Sequence, residues 1–100
     1  MTPKEFDQYF ADLCVEEADL LRRKGQEYSG FEDRHSNFKR LAEELKLRPE
    51  VIIWIYLKKH LDSITSYIRG EYTGIEPIHG RIMDARNYLA LLGAMLEDKN

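Results

Sequence analysis

Along the last third of the chain Glu76, Gly80, Asp84 and Asn87/Tyr88 recur at intervals of three to four, the spacing that lines side chains up on one side of an α-helix. Carboxylates with a glycine between them leave a hollow where a metal ion or a phosphate-bearing ligand can approach backbone and side chains closely. Arg81 and Arg86 flank that line. Near the other end of the chain, a projection at about 100° per residue sets Phe6, Phe10, Leu13, Leu20, Leu21 and Tyr28 on one stripe. Glu17 and Lys24 fall in its middle and Glu27 at its edge. A buried charge is costly unless it is paired, hydrogen-bonded or bound to a metal, so these positions point to a ligand site or an internal network. The plainer alternative is a bridge from Glu17 to a lysine further along. A third group, Lys58, Lys59, His60 and Asp62, arrives together after an apolar belt. Lys58 and Asp62, four apart, can pair on a solvated face. His60 flanks the stripe Leu57, Leu61, Ile64 and Ile68, as a boundary residue or as a ligand contact.

The elements that must position these residues are helical, for no stretch alternates apolar and polar with a period of two. Thr2 caps the first helix with Glu5 three residues on and Pro3 in the first turn, and the helix is predicted to run to about Tyr28. Ser29-Gly30 breaks it, and the charged loop Phe31-Glu32-Asp33-Arg34-His35 leads to Ser36 as the cap of a short helix that buries Phe38, Leu41, Ala42 and Leu45. Pro49 opens a third helix that ends before Gly70. Pro77 opens a fourth, predicted to reach about Glu97 with Ile78, Ile82, Ala85, Leu89, Leu92 and Leu96 as its core stripe. The expected architecture is all-α, a four-helix bundle-like single domain over residues 1–100.

One hundred residues with 43% hydrophobic and 33% charged composition make a globular chain with material for a core. Fifteen Lys+Arg against eighteen Asp+Glu, net charge -3, lack the basic excess of a general nucleic-acid binder. The longest apolar run, Val51 to Leu57, falls far short of the roughly 20 residues of a membrane span. A single cysteine, Cys14, forms no internal disulfide and no cysteine-based zinc site. With no secretory signal pattern at Met1-Thr2-Pro3-Lys4-Glu5, the expected location is the cytoplasm, that of the host cell if the protein is viral.

Val51 through Leu57 circle the third helix completely, as in a helix covered on all sides. Leu91 and Met95 lie away from the core stripe of the fourth helix. Both features predict a homo-oligomer that buries the second faces, unless loops and the short helix cover them.

Residues 20 to 96 resemble the phage-rich nucleotide-modification-associated domain 1 family, similar in style to the all-α nucleotide pyrophosphohydrolases of the MazG and dimeric dUTPase type. The resemblance is carried by Lys24-x-x-Glu27-Tyr28, Asn37-Phe38, Lys59-His60 and Glu76-x7-Asp84-x2-Asn87-Tyr88. In the pyrophosphohydrolases acidic residues on two helices gather Mg²⁺, which holds phosphates and activates water. Here Gly80 stands where the family pattern has its middle acid, and the close Glu-x-x-Glu and Glu-x-x-Asp pairs are missing. Glu76 and Asp84, eight residues apart, lie about 12 Å apart along a helix axis, too far to hold one ion directly without a bridging ligand.

The resemblance therefore implies a small phage-type protein that binds a phosphorylated nucleotide or nucleotide second messenger without necessarily transforming it, sequestering it to counter host defence. The ligand contacts expected are Glu17, Lys24, Glu27, Tyr28, Lys59, His60, Glu76, Arg81, Asp84, Asn87 and Tyr88. The cations take phosphates, as Arg86 also can, and the rings of Tyr28, Tyr88 or Trp54 stack on a base. No cofactor is expected. The alternative is an Mg²⁺-dependent pyrophosphohydrolase or nucleotide-modification accessory enzyme with Glu76 and Asp84 as metal ligands. A second alternative is a helical protein-interaction module.

Overall fold

A computed structural model describes residues 1–30 and 32–98. Phe31, placed by the sequence in the first connecting loop, lies outside the described residues. The chain is all-α, with helices α1 (Pro3–Tyr28), α2 (Ser36–Leu45), α3 (Pro49–Ile68) and α4 (Ile78–Asp98). It has no strand among the described residues. It divides into two compact units, Met1–Arg34 and His35–Asn100.

The first unit is α1 and the turns that follow it. Thr2 caps the helix as its sequence position implies, its Oγ1 accepting from the Glu5 N–H at 3.1 Å, with Pro3 in the first turn. Along the solvent-facing part Asp19 accepts from Arg22 at 2.9 Å and from Arg23 at 3.1 Å. At the far end Arg34 folds back across Gly25 and donates to Ser29 Oγ at 3.3 Å. A Cβ on Gly25 would stand 2.6 Å from Arg34 Nε, so glycine here lets the Arg34 side chain lie against the helix.

The second unit packs α3 between α2 and α4. Ile52, Ile53 and Leu57 of α3 and Met83 of α4 are each at most 1% exposed and form its centre. Burial of one such side chain contributes about 1.5–3 kcal/mol. Phe38 and Ala42 of α2 are buried, but Leu41 is half-exposed and Leu45 is open to solvent. The short helix thus buries a narrower face than its spacing predicts. Its N-cap is His35 rather than Ser36, without a side-chain capping bond. The His35 ring instead reaches α4, Nε2–H donating to the Leu91 carbonyl at 2.9 Å. α2 ends on Lys46 in the left-handed region. α3 stops where glycine predicts, Gly70 adopting φ 75 and donating to the Tyr67 carbonyl.

The core face of α4 is turned from the one its periodicity suggests, although Ala85 of the expected stripe is buried and Ile78 and Leu92 are half-buried. Met83, Asn87, Leu91 and Met95, four residues apart, are the buried line. Ile82, Leu89 and Leu96 of the expected core stripe stand 37%, 53% and 48% exposed. Two apolar stripes share this helix, and periodicity cannot say which one meets α3. On α3, Trp54, Ile55 and Tyr56 are exposed opposite the buried residues, so the helix is apolar all round but covered on one side.

Candidate functional site

Turning α4 by its Met83–Asn87–Leu91 line carries the adjoining line of Gly80, Asp84 and Tyr88 toward α3, where His60 waits. His60 is 8% exposed. Its Nδ1 lies 3.3 Å from Arg81 Nη1 and 3.8 Å from Asp84 Oδ2, and its ring stacks on Tyr88 with centroids 5.5 Å apart. Tyr88 in turn stacks on Tyr56 at 5.7 Å and 9°. The Phe38 ring meets both tyrosines edge-on. Three parallel rings, His60, Tyr88 and Tyr56, thus run between α3 and α4, and Phe38 of α2 closes their flank.

Arg81 is the hinge of the charged side. Its side chain is only 15% exposed, and Nε lies 3.3 Å from Glu76 Oε2, in ion-pair range but not aligned as a hydrogen bond. The Tyr72 hydroxyl holds the Arg81 guanidinium above its already high ordinary pKa against the opposing effect of burial, and the carboxylates of Glu76 and Asp84 add smaller contributions in the same upward direction. Arg81 is therefore charged at every pH the protein meets. Tyr72 is set by its own loop: its hydroxyl donates to the Glu76 carbonyl at 2.7 Å, and its ring packs edge-on to Tyr67. Gly74 makes room for it, since a Cβ there would stand 2.5 Å from the Tyr72 ring.

Beside Arg81 opens a hollow of about 250 Å³ lined by Asp62, Ser63, Ser66, Glu71, Tyr72, Thr73 and Gly74. A second, of about 310 Å³, lies at the other end of the ring stack, where Tyr56 and Phe38 form a wall with Asn37, Arg40, Leu41 and Glu44. The first offers one permanent cation, four hydroxyls and two carboxylates. A bare anion gains from the first and loses to the last. A ligand carrying both an anionic group and vicinal hydroxyls satisfies all three, because carboxylates accept from hydroxyls.

Of the residues expected at a site, the structure brings together His60, Glu76, Arg81, Asp84 and Tyr88. Lys59, next to His60, is exposed. Asn87 belongs to the buried line of α4 at 3% exposure, and neither its Oδ1 nor its Nδ2 finds a hydrogen-bond partner among the described residues. Glu17, Lys24, Glu27 and Tyr28 lie on α1 in the first unit, the first two half-buried and the last two exposed. Among the described residues no three His, Cys, Asp or Glu side chains gather closely enough to hold a metal ion. Glu76 and Asp84 turn to basic neighbours, Arg81 and His60, and Gly80 supplies no third carboxylate.

Tyr72, Ser63, Ser66 and Thr73 escape the sequence reading. Ser63 and Ser66, three apart on α3, share a helix face, a signal present but unremarkable. Tyr72 sits in a loop, where no periodicity speaks for it. No helix among the described residues is long and apolar enough to cross a membrane. Comparison with known proteins finds no matching family model, no matching curated protein and no matching solved structure.

Proposed function

We propose that this chain binds a phosphorylated nucleotide, or a nucleotide second messenger, in the hollow beside Arg81 and holds it without transforming it. The reading is supported above all by Arg81 itself: a largely buried, permanently charged guanidinium, braced by Tyr72 and His60, at the wall of a hydroxyl-lined hollow. Its planar fork matches a phosphate's paired oxygens. The phosphate displaces the exposed Glu76 carboxylate from Nε and takes its place. Ser66 and Thr73 donate to the remaining oxygens, Asp62 and Glu71 accept from sugar hydroxyls, and Ser63 keeps its own bond to the Lys59 carbonyl. The resemblance to a phage-rich nucleotide-associated family extends the proposal to a homo-oligomeric protein of the host cytoplasm that sequesters such a ligand from a defence system.

The decisive experiment incubates the protein with nucleoside triphosphates and cyclic dinucleotides, with and without Mg²⁺. The protein is then heat-denatured and what is released is analysed. Intact release of a ligand that Arg81→Met fails to retain supports the binder. Mg²⁺-dependent turnover replaces it with the pyrophosphohydrolase, and retention of no nucleotide leaves the interaction module.

A further inference from the structure

The ring stack ends on Tyr56. Its ring lies within 9° of parallel to Tyr88, which accounts for one of its two faces. Phe38 stands 6.2 Å from Tyr56 and 6.3 Å from Tyr88, tilted at 65° and 74°. A ring equally close to both lies beside the pair, since over the outer face of Tyr56 it would be much further from Tyr88. The outer face is therefore not covered by Phe38, Tyr56 is 39% exposed, and it walls the hollow of about 310 Å³ whose other lining comes from α2. There Asn37, Arg40, Leu41 and Glu44 share one side of the helix. The hollow thus has an aromatic wall, an apolar flank from Phe38 and Leu41, and one cation and one carboxylate a helical turn apart. Pairing one turn apart on a solvated helix is weak, so Arg40 and Glu44, both exposed, can turn to a ligand.

We infer that this hollow binds a guanine base stacked on the outer face of Tyr56, a second ligand site apart from the hollow beside Arg81. A tyrosine at the end of a stack takes another planar π-face. The charges choose among planar ligands. Arg40 and Glu44 cancel, so a bare anion that gains from one loses to the other, whereas a neutral ring carrying acceptors and donors satisfies both. Guanine has that edge. Its N7 and O6 accept together, matching the guanidinium fork, and its N1–H and N2–H donate side by side to a carboxylate. Adenine alternates acceptor and donor and gives the fork no adjacent pair. Cytosine offers the carboxylate a single amino group and brings a smaller ring to the stack. The site needs no phosphate and is independent of the one proposed at Arg81.

The probe is guanosine, which carries no phosphate. On titration its H8 and the Tyr56 ring protons should shift upfield in NMR, the ring-current signature of stacking. Tyr56→Ala should weaken binding by roughly five- to a hundredfold, the worth of one stacked base, and Tyr56→Phe, which keeps the ring, should retain it. Glu44→Gln and Arg40→Met should each lower the affinity for guanosine and shrink its lead over adenosine. Both are surface changes on α2, so they carry the test even if Tyr56→Ala unfolds. Excess inorganic pyrophosphate, the probe for the Arg81 hollow, should leave guanosine bound. Absence of guanosine binding at millimolar concentration overturns the inference, as does full affinity in Tyr56→Ala or in both α2 variants. Adenosine or cytidine bound as tightly as guanosine overturns the choice of base. Displacement by pyrophosphate puts the nucleoside beside Arg81, which overturns the second site and leaves the first standing.

Discussion

Arg81 Nη1 stands 3.3 Å from His60 Nδ1, joining two helices across twenty-one residues of sequence. Arginine only donates, so His60 Nδ1 accepts and the neutral ring carries its proton on Nε2. Arg81 is thereby oriented by a histidine and a tyrosine rather than by carboxylates alone, which leaves Glu76 the exchangeable partner. Arg81→Ala should weaken nucleotide binding by roughly tenfold or more, the worth of a charge-assisted hydrogen bond. Arg81→Lys, which keeps the charge and loses the fork, should recover only part of it. Isothermal titration of both variants checks this, and equal affinity of Arg81→Ala and wild type removes Arg81 from the site.

The pH behaviour follows from the direction of the Arg81 shift. A cation whose pKa rises on folding contributes its stabilisation fully below its unfolded value and loses it only above the folded one. The ordinary value of Arg81 is already high and folding raises it further, so its own contribution is constant from pH 6 to 9. Wild type and Arg81→Ala should therefore show parallel stability curves between pH 8 and 9, above the ordinary range of the His60 imidazole that Arg81 contacts. Curves that diverge in urea titrations at successive pH values contradict the assignment.

Asn87 is nearly sealed between Met83 and Leu91, with both amide atoms unpartnered among the described residues. A buried polar group in that state costs about 1–3 kcal/mol. Asn87→Leu, which keeps the branched outline with methyl groups in place of the amide atoms, should stabilise the protein by up to about that amount in chemical denaturation. A loss of stability instead shows that the amide is hydrogen-bonded in solution.

Trp54 and Ile55 stand 52% and 53% exposed on the outer side of α3, opposite Ile53, Leu57 and His60. Ile55→Glu should leave the fold intact, since the side chain is outside the core, and should reduce the size of the oligomer. Sedimentation velocity at micromolar concentration measures it. An unchanged sedimentation coefficient places this face in solvent, and a monomeric wild type removes the oligomer altogether.

How far the sequence can be read here depends on what fixes each feature. Capping at Thr2 and Pro3, and termination at Gly70, are local chemistry, and both are where their residues imply. The α4 core face is not local: the helix carries two apolar stripes, and only the position of α3 decides between Met83–Leu91 and Ile82–Leu89. A polar residue, Asn87, within the buried stripe made it look like the solvated one. At the site, the line from Gly80 to Tyr88 was legible because it shares a helix with regular spacing, Glu76 standing just ahead of its first turn. The Tyr72 hydroxyl and the hydroxyls of Ser63 and Ser66 enter only through tertiary folding. Glu17 and Lys24 stand out in the sequence as charges in an apolar stripe, and their meaning rests on which surface that stripe meets.

Gly80 separates a glycine kept for a ligand from one that is merely tolerated. It lies in the first turn of α4, donating to the Pro77 carbonyl at 3.0 Å. A Cβ added there meets nothing within 4 Å, so the protein has no packing reason to forbid a side chain. Gly80→Ala should stabilise the protein by up to about 1 kcal/mol through helix propensity. If a ligand approaches the backbone between Glu76 and Asp84, the same methyl should lower affinity, and stability and binding will move in opposite directions. If binding is confined to the hollow on the Tyr72 side of Arg81, affinity should stay unchanged. Gly80→Glu asks the complementary question by placing an acid between Glu76 and Asp84, in space that is open to receive it. Mg²⁺ binding gained by Gly80→Glu, read by calorimetry with the metal alone, would show that one carboxylate is all this site lacks to hold a metal. No gain would mean that a single added carboxylate does not complete a metal site here.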